Sequence, residues 1–169
     1  AADIVAINVG FGVTGGFSAT LTGIADGASN VTITNNTIGV VQQSGTFSAC
    51  GIALGNTVTG TNLIANNMVY GVMANGTAGD ISFGIVSGGG AATTNIYHNS
   101  VVMQGTIAGA TGASQTSACL AVTANTPTTL NINNNILVNR QVGNAVATLR
   151  LTSIALGYTS TTGNYIALV

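Results

Sequence analysis

The side chains on which acid–base, nucleophilic or metal chemistry could be built are few: Asp3, Asp26, Asp80, Arg140, Arg150, His98, Cys50 and Cys119, with no Lys and no Glu. Hydrolysis of a glycosidic bond ordinarily takes two carboxylates facing each other across it. Here three are spread along 169 residues, and no two share a segment. His98, the only histidine, would need a second His, Cys or carboxylate beside it to hold a metal or act as a base. Cys50 and Cys119 can form a disulfide only if the fold brings their Cα atoms within about 7 Å. What these groups can do depends on the elements that position them.

Those elements follow a repeat. A polar residue leading an apolar stretch returns at Asp3-Ile4-Val5, Asn30-Val31-Thr32, Asn62-Leu63-Ile64, Asn95-Ile96-Tyr97, Asn131-Ile132-Asn133 and Asn164-Tyr165-Ile166, at intervals of 27, 32, 33, 36 and 33 residues. A unit of this length cannot bury its apolar face alone, so it packs against its neighbours as a solenoid. Within the unit, Val31-Thr32-Ile33-Thr34 has the alternation of a half-buried strand. Gly and Asn punctuation, as at Gly15-Gly16, Ser44-Gly45 and Asn75-Gly76, marks turns. The 24 Gly, the single proline Pro127 and the lack of a long helix-period stripe argue against a helical solenoid. The expected fold is an all-β parallel solenoid, one domain over 1–169, with coils opening near 3, 30, 62, 95 and 131 and a further strand from 164.

Stacking the repeats gives columns. Leu21, Ile52, Ile85, Leu120 and Ile154 form an apolar one. A polar column contains Asn36, Asn67, Asn99 and Asn135. Asn tolerates left-handed backbone and suits a tight turn, and stacked Asn side chains can hydrogen-bond along the axis. These four are therefore expected to form a structural ladder. His98 shares the adjoining column with Asn35, Asn66 and Asn134 and reads as a ladder position where His replaces Asn. Cys50 and Cys119 fall in matching segments two coils apart, with Phe83 or Gly84 between. At about 4.8 Å per coil they are too far apart to bridge, and two buried free thiols are expected.

The phrase Asn-x-x-Asn-Asn-x-Val/Ile, once per coil, resembles the right-handed parallel β-helix repeat of pectate-lyase-like proteins. The segment Asn95-Ile96-Tyr97-His98-Asn99-Ser100-Val101 is similar to a phrase of large secreted bacterial surface proteins, notably in the Bacteroidetes. The resemblance implies the fold; the same coil supports lyases, hydrolases, adhesins and inert stalks. The lyases' calcium clusters want several carboxylates, and a lyase base would have to be Arg140 or Arg150 without acidic partners. Neither pattern is met here, and no cofactor or metal is implied.

Charged residues make up 3% of the chain against about 25% in an ordinary soluble protein. Two arginines cannot supply the phosphate contacts of a nucleic-acid binder. No stretch approaches the ~18 apolar residues of a membrane span. Disorder conflicts with 46% hydrophobic residues. The start at Ala1-Ala2-Asp3 reads as a mature exported form or an excised fragment, hence an extracellular or cell-surface protein. An ice-binding face would need Thr-x-Thr on every coil; Thr32-x-Thr34 and Thr57-x-Thr59 fit, whereas Leu63-Ile64-Ala65 and Ile96-Tyr97-His98 do not.

The ends are the functional clue. No polar cap is identifiable. The chain opens in an apolar strand, with Ile4, Ala6 and Val9, and stops in another, with Ile166 and Leu168, which the repeat places in equivalent register. Each end can accept the other as the next coil, and such a head-to-tail contact propagates as a filament. The leading expectation is a structural subunit that self-associates in this way. A carbohydrate-active or glycan-binding adhesin is the alternative, although glycan platforms favour exposed aromatics and this chain has no Trp and only Tyr70, Tyr97, Tyr158 and Tyr165.

Overall fold

A computed structural model describes residues 3–10, 28–45, 47–55, 59–74, 81–89, 91–107, 116–125, 129–142, 146–152 and 161–168. These residues are all-β, with parallel pairing throughout and no helix. The arrangement fits a parallel β-solenoid. One sheet holds five strands: β1 (Ile4–Val9), β5 (Ala49–Leu54), β9 (Ile81–Gly89), β12 (Thr116–Asn125) and β14 (Val146–Thr152), in that order. The second holds β2 (Thr32–Thr34), β6 (Thr61–Ala65) and β10 (Thr93–Tyr97), the long β13 (Thr129–Val142), then β11 (Ser100–Thr106), β7 (Met68–Tyr70) and β3 (Thr37–Gly39), with β15 (Thr161–Leu168) on β13. A short ribbon pairs β4 (Gln42–Gln43) with β8 (Met73–Ala74).

The chain alternates between the sheets, so residues a repeat apart lie one above the other. Three apolar columns fill the space between. Ile33, Ile64, Ile96 and Ile132 stack in one. Ile38, Val69, Val101 and Leu137 stack in the next. The third, from the five-stranded sheet, is Ile7, Ile52, Ile85 and Leu120, with the backbone of Leu149 next in register. The expected column thus holds at its three central members, while its ends are Ile7 and Leu149; Leu21 and Ile154 lie outside the described residues. Each aliphatic side chain taken fully from water contributes about 1.5–3 kcal/mol, which outweighs any single polar term at these positions.

The register corrects the reading of the ends. The strand opening at Asp3 stacks on 49–54, with Ile4 opposite Ala49 and Ile7 opposite Ile52, and not on the strand that follows Asn30. The pairing partner of Ile166 is Asn135 and that of Leu168 is Leu137, in the other sheet. The first and last strands are therefore not equivalent. Both carry the same apolar alternation, and that similarity makes them look alike on paper.

In the five-stranded sheet, β5 and the described side chains of β9 and β12 are buried on both faces. Ala49, Ile52 and Leu54 belong to the main core, while Cys50 and Ala53 join Phe83, Val86, Ala118 and Ala121 on the opposite side, with Val5 against them. Between Cys50 and Ala53 the alternation slips by one, because Gly51 and Ile52 both face the main core. The slip repeats at Gly84-Ile85 and at Cys119-Leu120. It also puts the two cysteines in different columns: Cys50 stacks on Phe83, which stacks on Ala118, and Cys119 follows one residue later on the other face.

The slip demands small residues. A Cβ on Gly51 would sit 2.6 Å from the Gly84 carbonyl oxygen, and one on Gly84 would sit 2.6 Å from that of Cys119. Backbone cannot yield as a side chain can, so Gly84→Ala is expected to destabilise by about 1–3 kcal/mol, the usual range for overpacking. Urea unfolding followed by circular dichroism measures this, and an unchanged midpoint would contradict the close approach.

Candidate functional site

The polar feature that the repeat builds most completely lies where the first strand of the large sheet hands over to the second. Asn35, Asn66, His98 and Asn134 have φ of 59°, 56°, 54° and 54°. All four are exposed. Left-handed backbone costs an ordinary L-residue roughly 1–2 kcal/mol, and Asn and His are among the side chains enriched there. The turn therefore belongs to this column and not to the asparagine that follows. His98 is correspondingly a corner residue outside the ladder, its ring edge-on to Tyr97 at a centroid distance of 6.4 Å.

One residue on, the side chain turns inward. Asn67, Asn99 and Asn135 are buried and Asn36 is half-buried. Asn36 Nδ2 donates to Asn67 Oδ1, Asn67 Nδ2 to Asn99 Oδ1 and Asn99 Nδ2 to Asn135 Oδ1, each at 2.9 Å. The same three oxygens accept the backbone N–H of the preceding asparagine, at 3.1, 3.1 and 2.9 Å. The second Nδ2 hydrogen of Asn67, Asn99 and Asn135 goes to the carbonyl of Ile33, Ile64 and Ile96. Asn67 and Asn99 thus use both hydrogens and both acceptor positions of their amides, which buried amides rarely achieve with so few partners.

A second network was not legible in the sequence. Gln141 is buried, its Nε2 donating to the carbonyls of Val72 at 2.7 Å and Gln104 at 3.3 Å. Its Oε1 bonds the buried Ser117 hydroxyl, which also accepts from Asn139 Nδ2. The only available signal is a Gln at the inward phase of the run Leu137, Asn139, Gln141, where apolar residues are the rule.

Among the described residues, β1 is the first strand of the five-stranded sheet. Ile4 is 40% exposed, Ala6 is exposed and Val9 half-buried, although the strand above them, β5, is buried at every residue. The backbone places Ile166 and Leu168 in β15.

The groups with chemical potential remain apart. Asp3 Oδ1 accepts the Ser48 N–H at 2.8 Å, a tie between layers 45 residues apart. Asp26 and Asp80 lie outside the described residues, Arg140 is exposed, and Arg150 is on β14. Among the described residues, no three of His, Cys, Asp and Glu gather where a metal could sit. Cys50 and Cys119 are free and buried, as the spacing predicts. Desolvation pushes the Cys119 thiol up to about 12, against a smaller opposing effect from the Met103 backbone, and raises Cys50 still further. No model of a known protein family, no curated protein and no solved structure matches this chain.

Two outcomes follow. Asn99→Ala removes the acceptor of the Asn67 backbone N–H and of one Asn67 Nδ2 hydrogen and takes a donor from the Ile64 carbonyl, while Asn135 Oδ1 keeps the backbone N–H of residue 99. At about 1–3 kcal/mol for each buried group left unpaired, with partial relaxation, it is expected to destabilise by about 3 kcal/mol, well beyond Asn36→Ala; equal losses in urea titrations would contradict the ladder. For the thiols, the folded state holds protons that the unfolded state releases from about pH 9.0 upward. Stability is therefore full below pH 9.0 and falls as pH rises toward the folded values. Unfolding midpoints between pH 7 and 11 test this, and Cys50→Ala with Cys119→Ala should flatten the alkaline loss. Ellman's reagent at pH 8 should label neither thiol until denaturant is added.

Proposed function

We propose that this chain is an extracellular structural element, a right-handed β-helix of about five coils related to the pectate-lyase-like repeat, whose units stack head to tail into a filament or surface fibre. The observation that carries the reading is the contrast between β1 and β5. Register partners along the two strands are exposed or half-buried on the first and buried on the second. Another layer over Ile4, Ala6 and Val9 would bury them as Ala49 and Leu54 are buried.

The sheets meet correctly at such a joint. The last strand of the five-stranded sheet is β14 and the first is β1, while β15 lies beyond β13 on the sheet that begins with β2 and β3. A second molecule would add small sheet to small sheet and large to large, and the ionisable residues on the two end strands of the small sheet and at the start of β1 are of opposite sign, Asp3 before β1 and Arg150 on β14. The chain's chemistry is read as non-enzymatic, with self-association as the partner interaction. A glycan-binding adhesin is the second reading, favoured by Tyr70, 39% exposed with its ring laid over Gly39 on the outer face.

Electron microscopy of the purified chain at neutral pH decides between them. Filaments with an axial rise of about 24 Å, five layers at ~4.8 Å, are expected. Ile4→Lys, which places a charge on the end face and disturbs no interior layer, should leave single particles with an unchanged circular dichroism spectrum. Monodisperse particles from the unaltered chain overturn the filament and direct attention to glycan arrays.

A further inference from the structure

One side of the large sheet is apolar on its outer face as well as its inner one. Met68, Ser100 and Ile136 share an outward column, and Tyr70, Val102 and Val138 share the next. Met68 is 52% exposed, Ile136 48% and Tyr70 39%. Their strands are paired on both sides, β7 with β3 and β11, and β13 with β11 and β15. The exposure is therefore a property of the face and owes nothing to either end of the stack. Single exposed hydrophobics are ordinary, whereas a lane of them crossing several layers marks a contact surface.

Two details single out Tyr70. Its ring reaches across the neighbouring strand to lie over Gly39, where a Cβ would sit 2.7 Å from Cε2, so the ring rests on the sheet and stays partly open to solvent. Beside Gly39, Val40 has a φ of 58°. A β-branched residue in left-handed backbone is an outlier, and the residue that stacks on it in the next layer is Gly71, at φ 67°. Strain of this kind collects at ligand sites. The lane also has polar borders. Exposed Asn66 and His98 run along one side, and Gln104 and Arg140, in register with each other, along the other. Of the outward residues on β3, β7, β11 and β13 from Ile136 onward, Arg140 alone is ionisable.

From this arrangement we infer that the outer face of β7 and β11 binds an uncharged glycan chain lying along the solenoid axis. The negative face of an aromatic ring meets the polarised C–H groups of a sugar, with Tyr70 and Val102 as the floor. Amide and imidazole side chains both donate and accept, as hydroxyl groups do, so Asn66 and His98 match the sugar's rim. A polyanion would find one cation, too few to hold it. A peptide strand would find no open edge, because the backbones of β7 and β11 are paired on both sides. The inference rests on the second reading above, glycan binding, to which it adds the site and the ligand class, and it does not depend on filament formation.

The test sets the full chain against a microarray of neutral hexose oligomers and uronic-acid oligomers, followed by calorimetry. Neutral oligomers should bind, with an affinity unchanged between low and high salt, since no charge takes part. Tyr70→Ala should weaken binding about tenfold or more, and Tyr70→Phe should retain it. Gly39→Ala, which lifts the ring from its seat and leaves the core alone, should weaken it as well. Arg140→Ala should leave neutral binding unchanged, and circular dichroism checks the fold of each variant. Preference for uronic-acid oligomers, or neutral binding that survives Tyr70→Ala, overturns this inference and leaves the glycan reading standing. Binding of neither class overturns both.

Discussion

A buried primary amide has two hydrogens to place and an oxygen that accepts twice, and the layering of this protein depends on meeting all four demands at one corner of the interior coils. Asn67 and Asn99 do so with partners drawn from the layer before and the layer after. An apolar contact tolerates sliding because it has no direction. An amide pair at 2.9 Å does not, because a displacement of one residue puts the acceptor on the wrong strand face. The isoleucine and valine columns supply most of the free energy, and the asparagines decide which isoleucine lies over which.

The smaller sheet solves a different problem. Its inner strands are buried on both faces, so they show continuous small and apolar residues, Ala-Cys-Gly-Ile-Ala-Leu in β5, where a half-buried strand would alternate. The repeated slip at Gly51, Gly84 and Cys119 brings this sheet's backbone against Val69 and Val101 of the other. Close approach of backbone to side chain fixes the spacing between the sheets, with glycine as the required residue in two of the three layers. The cysteines fit the same logic, as small apolar fillers on opposite faces whose burial makes the thiolate form unfavourable.

Much of this was legible before any coordinates. The alternation in Val31-Thr32-Ile33-Thr34 and its later copies marks strands of the large sheet, and the once-per-coil spacing of Asn36, Asn67, Asn99 and Asn135 lies along the positions whose amides bond from layer to layer. Two assignments failed for identifiable reasons. Asn is suited both to a left-handed turn and to a buried ladder, so adjacent asparagines such as Asn66 and Asn67 do not reveal which takes which role; only the backbone angles separate them. An apolar strand pattern is also common to both sheets, so Asp3-Ile4-Val5 matches Asn30-Val31-Thr32 in kind while lying on a different sheet. The matching segments of Cys50 and Cys119 miss register by one position, since Cys50 stacks on Phe83 and Phe83 on Ala118. Gln141 gave no periodic signal because it occurs once.

The rungs of the ladder are separated by 31, 32 and 36 residues, yet their amide bonds all measure 2.9 Å. Length is held constant where the asparagines sit and is free to change between them. Such a chain tolerates inserted or deleted residues according to where they fall: a single addition between Ile96 and Asn99 would break every bond of that layer, while five added elsewhere in the coil leave the ladder untouched. Two descendants of one such sequence could therefore diverge in the outline of their coils, gaining or losing lateral projections, while keeping the same axial repeat. A duplicated coil would inherit a compatible joint at both faces from the moment it arose. The protein's cross-section is thus open to variation in a way that its pitch is not.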